Sequence, residues 1–95
     1  MVLRTRKGRE AEALVLAAIA DLWEEWGYPP TVRDIGSRIG MAPSAVHGYI
    51  RSLSEAGLVH DEPNIARSLR VSDAGFAHLA SERELRRLKR TVTAQ

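Results

Sequence analysis

Apolar residues early in the chain recur at helical spacing. Ala11, Leu14, Val15, Ala18, Ile19, Leu22, Trp23 and Trp26 follow the i, i+3, i+4, i+7 pattern. Glu12, Asp21, Glu24 and Glu25 fall on the other faces. Gly27 ends this helix, and Pro29-Pro30 imposes an extended link. A second, shorter helix follows, with Val32, Ile35 and Ile39 as its inward stripe. Thr31 and Asp34 form a capping pair at its start, and Gly40 sits where a left-handed C-terminal residue belongs. Pro43 suits the first position of a third helix, because its missing N–H does no harm there. Val46, Ile50 and Leu53 point to one side of that helix, and Gly57 closes it.

Beyond Gly57 the period changes from helical to alternating. "LVHD" and "RSLRVS" flank the turn-rich "EPNIA", with Leu69 and Val71 on one face. This predicts a small hairpin. Ser72 or Asp73 then caps a last helix. Phe76, Ala77, Leu79 and Ala80 form its first apolar patch, and Leu85, Leu88 and Val92 a second at heptad-like spacing. A second capping pair, Ser81 and Glu84, raises the expectation of a kink or of two short helices there.

The predicted fold is mainly α with a small β-hairpin: a winged helix-turn-helix, three-helix core plus wing, and an additional C-terminal helix. The expected organisation is a basic N-terminal arm at 1–9, the winged domain at 10–71, a C-terminal helix at 72–90 as a dimerisation candidate, and a frayed tail at 91–95.

Composition narrows the chemistry. The 95 residues suit one domain, and the absence of cysteine removes disulfides and thiolate metal sites. His47, His60 and His78 show no metal spacing, and no cofactor motif is present. No nucleophile–base pattern or phosphate-cradling glycine loop appears, so the reading is a binding protein and not an enzyme. The chain lacks an apolar run of the ~20 residues needed to span a bilayer, and its N-terminus is not a secretory signal. No membrane association and a cytoplasmic location are the expectation.

Charge is uneven. The formal net charge is +2, yet residues 1–9 carry +4 and residues 83–90 another +4, leaving 10–82 at −6. Basic ends suit a polyanion and equally suit plain solubility. Within residues 31–60, Arg33, Arg38 and Arg51 face Asp34 and Glu55, a net of only +1.

Residues 27–59, "GYPPTVRDIGSRIGMAPSAVHGYIRSLSEAGLV", resemble the DNA-binding domain of the SOS repressor LexA. The likeness rests on the aromatic-Pro-Pro-Thr lead-in, the Ile-Gly pair, Ser-x-Val-His and the Leu-x-x-x-Gly-Leu-Val exit. It implies a bacterial, phage or plasmid regulator of transcription. "VSDAGFAHL", 71–79, is similar instead to the post-wing helix of MarR-like regulators. Three departures stand out. The turn before Pro43 is one residue shorter than is common in LexA, and Gly48 stands where arginine is frequent. LexA also continues into a self-cleaving peptidase domain, whereas this chain has 95 residues, so the expectation is binding without autoproteolysis.

The candidate site follows from the third helix. With Val46, Ile50 and Leu53 inward, a step of about 100° per residue turns Ser44, Gly48 and Ser52 outward, flanked by His47 and Arg51. A helix entering the ~12 Å major groove needs short side chains where it comes closest to the bases, with longer ones reaching from the flanks. Ser44, His47, Gly48 and Arg51 are therefore the base-contacting candidates. Thr31, Arg33, Arg38, Tyr49, Ser52, Asn64 and Arg67 are the backbone-contacting candidates, with Arg70 a weaker one. Arg4, Arg6, Lys7 and Arg9 make up an N-terminal arm suited to the minor groove. Leu79, Leu85, Leu88 and Val92 are assigned to a homodimer surface. Trp23, Trp26, Tyr28 and Phe76 are expected in the core.

The leading reading is a sequence-specific double-stranded DNA-binding regulator, a repressor. Two alternatives stand beside it: a winged-helix adaptor or inhibitor with a protein partner, favoured by the acidic body, and a recombination or replication accessory factor.

Overall fold

A computed structural model describes residues 6–62 and 68–93, with side chains described for 8–62 and 68–88. The elements run α1 (Arg6–Trp26), α2 (Val32–Ile39), α3 (Pro43–Glu55), β1 (Val59–His60), β2 (Arg70–Val71) and α4 (Asp73–Thr93). The strands pair antiparallel, with Val59 opposite Val71 and His60 opposite Arg70. This is the winged helix-turn-helix expected from the sequence, with α4 appended after the wing.

Helix α1 is the hub, packing against α2, α3, β2 and α4. Its buried arc is accordingly wider than one stripe. Val15, Leu16, Ala18, Ile19 and Leu22 are buried, and so is Glu12, which the periodicity had placed on a polar face. Leu14, expected inside, is half exposed. Ile35 from α2, Val46, Ile50 and Leu53 from α3, and Val59, Leu69 and Val71 from the wing base complete the core with Leu79.

Local chemistry sets the boundaries. Thr31 and Asp34 do form a reciprocal capping box, with Asp34 N–H donating to Thr31 Oγ1 at 3.1 Å and Thr31 N–H to Asp34 Oδ2 at 2.8 Å. Such a cap is worth about 1 kcal/mol. Gly40 takes the left-handed conformation at φ 69°, which ends α2 and opens the turn. Gly36 is needed for a different reason. A Cβ there would lie 2.5 Å from the Met41 carbonyl oxygen, so only glycine lets α2 and the turn touch. Helix α4 begins on Ser72, whose Oγ accepts from Gly75 N–H at 3.0 Å and donates to the Gly57 carbonyl at 2.7 Å. A Cβ on Gly75 would come within 2.1 Å of the Leu58 carbonyl oxygen. These contacts bind α4 to the end of α3 and to β1.

Several boundaries differ from the sequence reading. Helix α1 starts at Arg6, so Arg6, Lys7 and Arg9 belong to its first turns and not to an extended arm. Arg4 lies outside the described residues. Helix α4 runs as one element through Thr93, so it does not divide into two short helices at Ser81. The aromatic expectation holds only for Trp23, which is half buried and donates its indole N–H to the Leu69 carbonyl at 2.8 Å. Trp26, Tyr28 and Phe76 are exposed, the first two stacked at 5.4 Å between ring centroids. The aliphatic residues of α1, α2 and α3 already fill the centre, leaving these rings at the rim. Among the described residues, no helix is long and apolar enough to cross a membrane.

Candidate nucleic-acid interface

Helix α3 is held from inside. Val46, Ile50 and Leu53 are at most 4% exposed, and this fixes the rotation of the helix about its axis. Ser44, His47, Gly48 and Arg51 are consequently all exposed along its outer side. A Cβ built on Gly48 meets nothing within 4 Å, so no protein neighbour requires glycine at this position. The outer side is low in the middle, at Ser44 and Gly48, and higher where His47 and Arg51 stand. Glu55, at the end of the helix, is exposed as well.

The entrance to α3 has no side-chain cap, since Ala42 occupies the N-cap position. Its first turn is closed only by the Ala42 carbonyl, which accepts from Ala45 N–H at 3.0 Å and Val46 N–H at 3.1 Å. Pro43 at the first helical position removes one of the orphan donors. At α2, Thr31 is half buried and its hydroxyl is occupied by the cap, while Arg33 is exposed.

Three backbone-contacting candidates are engaged within the protein, and of these Ser52 departs from its expected outward placement. Ser52 is half buried and donates to Glu12 Oε1 at 2.6 Å. It sits on the flank of α3 that meets α1, so it anchors the helix from behind and does not face outward. Arg38 is exposed but engaged: its Nη1 donates to Glu25 Oε2 at 2.8 Å, and Nη2 pairs with Oε1. That hydrogen bond holds the Glu25 carboxyl below its ordinary range and the Arg38 guanidinium above its own. Tyr49 is half buried against the core, where packing accounts for it.

The wing base is tied by Ser68, whose Oγ accepts from Glu62 N–H at 2.8 Å. Arg70 is exposed on β2. Asn64 and Arg67 lie outside the described residues, as does the side chain of Val92. Leu79, assigned to a dimer surface, is only 6% exposed. It belongs to the core because the start of α4 is clamped onto the wing base. Leu85 and Leu88 are half exposed, at 52% and 51%. Among the described residues, no group of three or more His, Asp or Glu is placed to hold a metal ion.

The sequence reading missed Glu12. A carboxylate within an apolar helical run, forty positions before a serine, gives no local signal of their pairing. Only the packing of α1 on α3 makes the contact.

Comparison with known proteins agrees with this architecture. The family model of the LexA DNA binding domain matches residues 7–68, which runs from α1 through β1 and stops short of β2. The LexA repressor of Oenococcus oeni is 39% identical over 66 residues, covering 68% of this chain and 31% of that protein. The LexA repressor of Lacticaseibacillus casei is 44% identical over 62 residues, 64% of this chain and 30% of that protein. That of Lactiplantibacillus plantarum is 35% identical over 79 residues, 82% and 38% respectively. The chain thus spans about a third of the length of these relatives. The family match ends before α4, which begins at Asp73. The match over most of the chain, on a winged helix-turn-helix fold, places this protein in the LexA DNA-binding domain family.

Proposed function

We propose that this protein is a sequence-specific double-stranded DNA-binding transcriptional repressor of the bacterial cytoplasm, acting as a homodimer and without catalysis of its own. One observation carries the reading. The second helix of the helix-turn-helix is fixed from inside by Val46, Ile50 and Leu53, and it exposes Ser44, His47, Gly48 and Arg51 together. In the major groove, Gly48 lets the helix axis approach the base edges. Arg51 has the fork to hold guanine O6 and N7, and His47 and Ser44 donate or accept at neighbouring edges. Arg33 and the cap region at Thr31 meet phosphates of one strand. Arg4, Arg6, Lys7 and Arg9, and Asn64 and Arg67 of the wing, extend the contact along the duplex. Arg38 joins only if it leaves Glu25. Two copies on a two-fold site would place half-sites about one helical turn apart.

The adaptor reading keeps one specific support, the net of only +1 across residues 31–60. Selection from a random duplex library at several salt concentrations separates the two. The repressor reading predicts enriched sequences, a steep fall of affinity with salt, and a loss of about 1–3 kcal/mol with relaxed preference in Arg51→Ala. No enrichment at low salt, or enrichment indifferent to Arg51 and His47, contradicts it.

A further inference from the structure

Helix α3 turns more residues outward than the four already assigned to base edges. Glu55, its last residue, is exposed, and so are Ala45 and Ser54. The rotation set by Val46, Ile50 and Leu53 sorts these positions. At about 100° per residue, Ser44, Gly48, Arg51 and Glu55 fall within an arc of about 60°, directly opposite the buried side chains. His47 and Ser54 lie to one side of that arc and Ala45 to the other. Glu55 is therefore in line with Ser44, Gly48 and Arg51, and nearer the centre of the outer face than His47 is.

The fold gives no reason for a carboxylate at this place. Neither Glu55 nor Arg51 has a hydrogen-bond or ion-pair partner among the described residues, although a spacing of four puts them within reach of each other. A negative charge in the last turn opposes the helix macrodipole, and that turn holds no basic residue to offset it. Phosphates would repel it further. The carboxylate only accepts, so in a DNA groove it needs a donor. The major-groove donors are the amino groups of cytosine and adenine. Adenine sets its N7 acceptor beside the amino group, and guanine and thymine offer acceptors in its place, so cytosine fits a carboxylate best. Helical rise puts Glu55 about 6 Å beyond Arg51 along the axis, close to two base-pair steps.

We infer that Glu55 is a specificity-determining residue, whose carboxylate accepts from the N4 amino group of a cytosine within two base pairs of the guanine held by Arg51. The inference rests on the DNA reading above and adds a second kind of base contact to it. Arg51 selects by attraction. Glu55 selects as much by repelling guanine and thymine as by accepting from cytosine. The net of only +1 across residues 31–60, which counted towards an adaptor, includes this acid.

Selection from a random duplex library tests the assignment, with the parent chain, Arg51→Ala, Glu55→Ala and Glu55→Gln compared. Helical circular dichroism checks each fold, which removal of an unpaired acid from the last turn should leave intact. The parent should prefer cytosine by about tenfold at a position within two base pairs of the one that Arg51→Ala relaxes. Glu55→Ala should level that position to within about threefold and retain the rest of the selected sequence. Glu55→Gln should move it towards adenine, whose N6 and N7 a side-chain amide matches. Cytosine retained in Glu55→Ala, a general flattening of the selected sequence, or tighter binding to every duplex with the preference unchanged overturns the role of Glu55 and leaves the DNA reading standing. A parent chain that enriches no sequence at low salt overturns the DNA reading, and the role of Glu55 falls with it.

Discussion

Helix α3 and the far half of α4 both turn a face to water, and the two faces are made of different material. On α3 the exposed positions are Ser44, His47, Gly48 and Arg51, and the apolar residues point inward. On α4 beyond Glu82 the exposed positions include Leu85 and Leu88 among arginines. Small and polar suits the wet, hydrogen-bonding floor of a DNA groove. Leucine exposed at half its surface suits another protein surface. The contrast also extends to support. The rotation of α3 is fixed by three buried side chains and by Ser52 on Glu12, whereas α4 has no buried residue from Ala80 to Leu88. An isolated helix of that length is marginal in water.

The strongest way to break this comparison is to remove one leucine from each helix. Leu53→Ala in α3 should cost about 2–5 kcal/mol, the range for a large-to-small change in a packed core. Leu85→Ala, measured by the same denaturant unfolding at concentrations that keep the chain monomeric, should change stability by no more than about 0.5 kcal/mol. Equal costs would mean the far half of α4 is packed after all.

A smaller effect tests the anchoring of α3 from behind. Ser52→Ala removes the donor to a buried carboxylate and should cost about 1–2 kcal/mol while leaving the order of preferred DNA sequences unchanged. A changed preference would return Ser52 to the outer side.

Smaller still in stability, but diagnostic for function, is Gly48→Arg. Open space above Gly48 and the helix propensity of arginine predict a gain of at most about 1 kcal/mol. The selected DNA sequence should shift at the bases closest to the helix. Unchanged specificity would put Gly48 off the groove.

The smallest effect concerns Arg38 and Glu25, both on the surface. Because pairing holds the Glu25 pKa below its unfolded value, its contribution is complete above the ordinary glutamate range and is lost as pH falls through the lowered value. The melting temperature of Glu25→Gln should therefore lie slightly below that of the parent at neutral pH, and the gap should close in acid. A gap that widens in acid contradicts the pairing. If Arg38 is a latent phosphate contact, the same variant binds DNA more tightly at low salt.

Much of this was legible in the sequence because it is local. Thr31 with Asp34, Gly40, Pro43 and the Val46, Ile50, Leu53 stripe each state their structure within a few residues, and together they fix which side of α3 faces out. What was not legible depends on which element lands on which. Leu79 and Leu85 read alike as members of one dimer surface, yet Ser72 and Gly75 clamp the start of α4 to β1, so the first is buried and the second is not. Glu12 reads as a solvent residue until α3 brings Ser52 to it. Trp26, Tyr28 and Phe76 read as core by residue type, but aliphatic side chains already occupy the centre.

The most direct measurement is an amide NMR titration of the whole chain with a duplex recovered by selection. The account predicts that the amides of Ser44, His47, Gly48 and Arg51 shift most, followed by Thr31 and Arg33, while those of Phe76, Leu85 and Leu88 stay unmoved by DNA. Shifts concentrated at Phe76, Leu85 and Leu88, with 44–51 unmoved, would contradict it.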